Sequence, residues 1–352
     1  MPSFSCETYP GWLTHWGEKW AHVKIYDIMK EVRFLLDNNK SFNLYVIHGG
    51  TNFGFTAGAN SGGKGYEPDI TSYDYDAPIS EQGLATAKFD SLRDLISKYK
   101  GSLPAIPSPI PSISIPAIKM QVFTSIWNQL PAPVRSVQPK PMESFGQYSG
   151  FILYRTKLIG EKSGQLKLTD LHDFGIVYIN SSFIGTMDRR LEENSVQLPV
   201  SSANIPELDV FVEAMGHINY AQEMIDRKGI TERASLNGMT LMNWDVYTFP
   251  FDEGYIKELS SSNVDTSKRL IFFKGNFNLK KTGDCWIDIS DYMKGIVFIN
   301  GHNLGKYWNI GPQKRLYCPA SWLNEGANEI ILFDLLQTQP SDIRGYSYVN
   351  SK

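Results

Sequence analysis

Apolar positions in the first hundred residues alternate between short runs and helical periods. Residues 3–6 read as the end of a strand, and about 18–37 as a helix with Trp20, Val23, Met29, Val32 and Leu36 near one face. An apolar run at 42–47 reads as a second strand. A loop rich in Gly, Asn and Ser fills 49–83; so long a structureless stretch inside a compact domain usually carries function. From Leu84 to Tyr99, the residues Ala85, Phe89, Leu92, Ile96 and Tyr99 step by four, three, four and three, which predicts an amphipathic helix. Strand, helix, strand, loop, helix is the rhythm of a parallel α/β unit.

Pro104, Pro107, Pro109, Pro111 and Pro116 then exclude helix and favour an extended connector. Beyond it the pattern changes to short β-branched and aromatic runs such as Phe151-Ile152-Leu153-Tyr154 and Ile330-Ile331-Leu332-Phe333. One segment recurs at an offset of 120 residues: Gly175-Ile176-Val177-Tyr178-Ile179-Asn180 with Ile184-Gly185, and Gly295-Ile296-Val297-Phe298-Ile299-Asn300 with Leu304-Gly305. Each copy follows an apolar run about 20 residues upstream, so two similar β-sandwiches of jelly-roll type are the economical reading. Asn300-Gly301 predicts a tight hairpin in the second copy. The expected division is 1–100, a Pro-rich linker at 101–118, one sandwich at 119–250 and another at 251–352.

Composition removes several function classes. A hydrophobic share of 42% and a formal net charge of -3, with basic residues scattered singly, give no footprint for nucleic acid. No run of 18 apolar residues predicts a membrane span, and no basic segment followed by an apolar stretch opens the chain, so localisation is left undetermined. Cys6, Cys285 and Cys318 are an odd count without metal-ligand spacing, so neither a disulfide framework nor a zinc site is indicated, and one Cys285–Cys318 bridge is left open. Gly58 to Gly65 has the spacing of a phosphate-binding loop, but Gly65 stands where Ser or Thr must ligate Mg²⁺, which rejects nucleotide binding. The sequons at Asn39 and Asn180 matter only in a eukaryotic secretory setting.

The candidate chemistry begins at Glu7, inside Cys6-Glu7-Thr8-Tyr9-Pro10-Gly11-Trp12. A carboxylate at a strand end among aromatic rings suits a sugar site, because ring faces stack on pyranose CH groups while the carboxylate reaches the anomeric carbon. His15-Trp16-Gly17, then Phe42 to Ile47 leading into His48-Gly49-Gly50-Thr51-Asn52-Phe53-Gly54, then Thr71-Ser72-Tyr73-Asp74-Tyr75-Asp76-Ala77-Pro78 follow in order. Together these motifs resemble glycoside hydrolase family 35, the retaining β-galactosidases. Met215 to Tyr220 and Gly301 to Trp308, with Gly311-Pro312-Gln313, are similar to signatures of that family's two galactose-binding-like domains, with His217 and Lys306 where Arg is usual. Lysine lacks the planar fork of arginine, so a role built on bidentate geometry is not expected at 306.

The resemblance implies a fold and an activity. The fold is the C-terminal part of a (β/α)8 TIM barrel followed by two all-β jelly-roll sandwiches. Glu7 falls on the catalytic nucleophile, with Tyr9, Trp12, Tyr45 and Tyr75 around the substrate. A retaining glycosidase needs a second carboxyl about 5–5.5 Å away. In this family it lies on an earlier strand, so the acid/base glutamate is expected upstream of Met1 and the chain alone is expected to be weak or inactive. The expected ligands are β-galactosides or galactose-terminated glycans, with no cofactor and no metal; a further partner is a preceding barrel portion. The family is often secreted, periplasmic or lysosomal. His15 and His48 read as structural, and Asp74 and Asp76 as turn-forming acids. The alternative is a non-catalytic carbohydrate-binding or structural module, whose sandwiches fold independently of residues 1–100.

Overall fold

A computed structural model describes residues 3–62, 65–220 and 222–349. Strand Phe4–Thr8 runs parallel to Ser41–Leu44, and helix Ile25–Asp37 crosses between them. This helix starts later than the periodicity predicts. The backbone N–H of Ala21 goes to the Thr14 hydroxyl at 3.0 Å and that of Val23 to Asp76 Oδ2 at 2.9 Å, and these distant acceptors hold 21–23 out of the helix. Helix Ala87–Lys100 is capped by Thr86, whose side chain accepts from Phe89 N–H, and ends at Gly101 with φ 75°. Leu92 and Leu95 pack on Ile28 and Val32 in a small core. The expected loop at 49–83 is not structureless: it contains the hairpin Gly58–Gly62 and Gly65–Pro68. Among the described residues the parallel sheet has two strands and closes no barrel.

The remaining strands form two sandwiches. The first pairs a six-stranded sheet, in the order Ser182–Asp188, Phe174–Ile179, Glu207–Glu213, Phe151–Lys157, Trp244–Phe249 and Val134–Ser136, with a four-stranded sheet centred on Gly164–His172 and Gly229–Leu236. The second pairs a five-stranded sheet (His302–Trp308, Lys294–Ile299, Gly326–Asp334, Ile271–Leu279, Gln121–Ser125) with a four-stranded one (Arg315–Cys318, Cys285–Asp288, Ile343–Tyr346, Ile115–Ile118). The repeated segment is the same hairpin in both, down to a register shift after Val177 in one and after Val297 in the other. Its turns, Asn180-Ser181 and Asn300-Gly301, take positive φ at both residues, which matches the twist of the flanking strands.

The expected linker and sandwich boundaries need correction. Ile115–Ile118 bonds to Ile343–Tyr346, and Gln121–Ser125 bonds to Ile271–Leu279, so 115–125 adds edge strands to the second sandwich. Ile115 and Ile118, at the two ends of the strand, bury against that core across a register irregularity, and no local signal names the distant partner. Nor do the sandwiches stand apart. Along Phe151–Lys157, Ile152 and Tyr154 face the interior of the first sandwich, while Phe151 and Leu153 face Phe272, Phe298 and Phe333 of the second. Trp16, Ala59, Tyr66 and Ile70 join this shared core, and Gly58–Gly62 pairs in parallel with His217–Ile218. The first hundred residues are therefore docked on the sandwiches rather than loose beside them.

Cys285 and Cys318 lie opposite each other in register as buried free thiols, and Cys6 is exposed. The hydrogen bond with Cys285, together with burial, holds the Cys318 thiol well above its usual range.

Burial ranks the segments for local opening. Residues 101–112 are almost wholly exposed, whereas 66–77 are mostly buried. Limited proteolysis read by mass spectrometry should cut first at 101–112 and leave 66–77 intact; early cuts between Tyr66 and Ala77 would contradict this packing.

Candidate active site

Glu7 is the penultimate residue of its strand, exposed, at a point where the pairing register shifts between Ser5 and Thr8. The Tyr9 hydroxyl donates to Glu7 Oε2. That bond, with some desolvation and the Glu7 charge, pushes the Tyr9 hydroxyl up to about 12, so it remains a donor at neutral pH. Rings surround the pair: Tyr9 meets Trp12 at 5.4 Å and Tyr45 at 6.1 Å, and Tyr75 lies 6.2 Å from both Trp12 and Tyr45. All five sequence-predicted residues, Glu7, Tyr9, Trp12, Tyr45 and Tyr75, thus share one cluster. Tyr9, Trp12 and Tyr45 remain 39–49% exposed, an aromatic surface open to a ligand.

Two glycines set the geometry. The backbone at Tyr73–Asp76 passes so close to the strand ends that a Cβ on Gly11 would stand 1.6 Å from the Tyr75 carbonyl oxygen, and one on Gly49 1.8 Å from that of Tyr73. Trp12 N–H completes the contact by donating to the Tyr75 carbonyl at 3.0 Å. Tyr75 and Asp76 sit at φ 65° and 50°, a conformation that costs energy in a non-glycine residue unless the surroundings fix it. Fixing it are the acids. Asp74 accepts from Asp76 N–H at 3.0 Å and Glu81 N–H at 3.3 Å. Lys88, almost fully buried, donates to Asp76 Oδ2 at 2.8 Å and to the carbonyls of Asp76 and Pro10, both at 2.6 Å. Asp74 and Asp76 are therefore architectural, as expected.

Tyr73 was not among the candidates, yet its ring lies 5.3 Å from Tyr75 and it hydrogen-bonds to Tyr45; burial raises its pKa. The signal in the sequence is the position of Tyr73 two residues before the candidate Tyr75, within Tyr73-Asp74-Tyr75. His15 is a buried bridge between Glu18 at 3.0 Å and Asp69 at 3.5 Å, and His48 Nε2 lies 3.4 Å from the Glu81 carbonyl. Burial pushes Asp69 up to about 6, partly opposed by His15. Glu81 is buried too and is pushed up to about 7, with the hydroxyls of Ser72 and Thr51 pulling the other way from 2.6 and 2.5 Å.

Donor atoms that could hold a metal converge at His15, Glu18 and Glu67 and at His172, Asp173 and Asp226. In the second group Lys228, fully buried, meets Asp173 at 2.8 Å and Asp226 at 2.7 Å, and Arg189 meets both at 2.8 Å. Positive charge is already supplied there. The two arginine-to-other departures are equally committed: His217 places its ring nitrogens 2.9 Å from the carbonyls of Asp226 and Tyr148, and Lys306 donates to the carbonyls of Ala214 and Met215. No helix among the described residues is long and apolar enough to cross a membrane.

Comparison with known proteins agrees along most of the chain. Residues 1–99 match the family described as "Glycosyl hydrolases family 35", 139–250 match "Beta-galactosidase, first all-beta domain", and 270–328 match "Beta-galactosidase, galactose-binding domain". A "Beta-galactosidase" of Xanthomonas manihotis is 36% identical over 329 residues, covering 91% of this chain and 54% of its own length. "Beta-galactosidase 17" of Arabidopsis thaliana is 35% identical, covering 95% of this chain and 54% of itself. "Beta-galactosidase-1-like protein 2" of Homo sapiens is 35% identical, at 97% and 55%. The chain spans about half the length of these relatives.

Gly11→Ala should displace Tyr75 and destabilise the chain by about 1–3 kcal/mol, measured by denaturant unfolding; an unchanged midpoint would show that the backbone contact is dispensable. Glu81 binds its proton more tightly folded than unfolded, so its contribution to stability is full below about pH 4.5 and is lost as pH rises through about 7. The stability of Glu81→Gln relative to the parent should therefore improve between pH 5 and pH 8, and a flat difference would contradict the burial of this carboxyl.

Proposed function

Because this chain belongs to glycosyl hydrolase family 35, we propose that Glu7 is the nucleophile of a retaining β-galactosidase acting on terminal non-reducing β-linked galactose. One observation carries this reading: the residue on the family's nucleophile position is a carboxylate oriented by Tyr9 inside an open ring of Tyr9, Trp12, Tyr45 and Tyr75. Glu7 attacks the anomeric carbon as the glycosidic C–O bond breaks, and the leaving oxygen takes a proton from a general acid. Water then cleaves the galactosyl ester and the acid's conjugate base receives the water's proton. Tyr9 holds the attacking carboxylate in line and favours its ionised form. The ring faces bind the apolar side of galactose.

The strand–helix–strand unit at Phe4–Leu44, followed by helix Ala87–Lys100, supports reading residues 1–100 as the C-terminal part of a TIM barrel. We assign the general acid to the part of the family's length that this chain does not span. Its absence from an assay removes about 10²- to 10⁴-fold in rate on an unactivated galactoside. The substrates are β-galactosides or galactose-terminated glycans, and no cofactor enters this chemistry.

A 2-deoxy-2-fluoro-galactosyl fluoride, whose fluoride leaves without protonation, tests the nucleophile separately from the acid. Mass spectrometry of the treated chain should show one covalent fluorogalactosyl group on the peptide containing Glu7, and none in Glu7→Gln. Glycan binding with no labelling, or labelling elsewhere, would replace this reading with that of a binding module.

A further inference from the structure

Lys88 occupies the second position of helix Ala87–Lys100, where two effects oppose a cation. The first N–H groups of a helix carry a partial positive charge, and the side chain is only 4% exposed, so its ammonium sits largely out of water. Such a group persists only where its hydrogens are engaged. Lys88 has three, and three acceptors surround them: the carbonyls of Pro10 and Asp76, both at 2.6 Å, and Asp76 Oδ2 at 2.8 Å. The helix start is held beside these acceptors by Thr86, which donates to the Pro78 carbonyl through its backbone N–H at 3.0 Å and its hydroxyl at 2.8 Å.

The acceptors belong to two separate arms of the ring cluster. Pro10 stands between Tyr9 and Trp12 on the arm that carries Glu7, and Asp76 follows Tyr75 on the other. The bond from Trp12 N–H to the Tyr75 carbonyl runs between the same arms, but it joins neutral groups, whereas the ammonium supplies stronger charge-assisted bonds. Asp76 is anchored from another side as well. Its Oδ2 accepts Val23 N–H at 2.9 Å and lies 2.9 Å from His22 Nδ1. With the Asp76 end fixed in this way, loss of the ammonium frees the Pro10 end, one residue from the Tyr9 hydroxyl that donates to Glu7.

We infer that Lys88 is a positioning residue for the nucleophile: it sets the Tyr9 arm against the Tyr75 arm and, through Tyr9, the direction of the Glu7 carboxylate. This rests on the reading of Glu7 given above. With its three hydrogens engaged, Lys88 transfers no proton and acts through geometry alone.

Two measurements on the full chain test this. The first uses no sugar. In a chain carrying ¹³Cζ-labelled tyrosine, the Tyr9 resonance is identified by its loss in Tyr9→Phe and should move in Glu7→Gln, which removes the charged acceptor. Lys88→Met should move it the same way, whereas Val32→Ala, which loosens the packing of the two helices, should leave it in place. The second measurement is the saturating rate at which the fluorogalactosyl fluoride labels Glu7. Lys88→Met and Tyr9→Phe should each slow it at least about tenfold, the size of one lost hydrogen bond to a charged group. Combined, they should slow it little more than either alone, because Lys88 acts through Tyr9; independent losses would multiply. Lys88→Arg keeps a charge beside Asp76 but replaces three point contacts by a planar fork, and should change both readouts in the same direction if Lys88→Met fails to fold. An unmoved Tyr9 resonance in a folded Lys88 variant, or losses that multiply, overturns the inference and leaves labelling of Glu7 in the parent standing. No label in the parent removes the nucleophile reading instead, and the resonance still decides whether Lys88 governs Tyr9.

Discussion

The structure depends on one sheet being buried on both faces. Phe151, Phe211 and Phe249 of the six-stranded sheet meet Phe272 and Phe333 of the neighbouring sandwich, with Phe151 and Phe333 at 5.3 Å and Phe272 and Phe333 at 4.6 Å. Two sandwiches and the segment around Trp16, Tyr66 and Ile70 thereby share a single apolar interior. Large rings close-packed in this way resist sliding, so the long segment at 49–83 is held at its middle by residues far from any chemistry. Its outer end can then press Tyr73 and Tyr75 against Gly11 and Gly49.

Buried cations complete that scaffold. Lys88, Lys228, Lys294 and Lys306 are each at most 5% exposed, and each meets a carboxylate, alone or with backbone carbonyls. A buried ammonium is tolerated only when its hydrogens are engaged, and these positions use point contacts on several sides rather than a planar fork. Lys306 shows the cost: burial, only partly offset by Glu213, pushes it down to about 8. Lysine at 306 suits the geometry because its acceptors are two successive carbonyls of the other sandwich, not a bidentate carboxylate.

Much of this was legible in the chain of letters, and the boundary of legibility is physical. The second helix, the duplicated hairpin and the Asn-Gly turn rest on periodicity and φ preference, which are local. The ring of Tyr9, Trp12, Tyr45 and Tyr75 followed from resemblance, since no spacing rule unites residues 9 and 75. What escaped was nonlocal. The helix at 25–37 lost its first turns to Thr14 and Asp76, and the hairpin inside 49–83 carries Gly and Ser where strand formers are usual. The edge strands at 115–125 look like connector because their partners lie beyond an entire sandwich.

That last arrangement makes the first sandwich an insertion within the second. During synthesis Ile115–Ser125 precedes the first sandwich, while Ile343–Tyr346, the partner of its first strand, follows it. The first sandwich can close in the interval, but its Phe-rich outer face stays wet until its neighbour is finished. Nascent chains stalled between the two stages would present an adhesive aromatic surface, the kind of surface that chaperones guard.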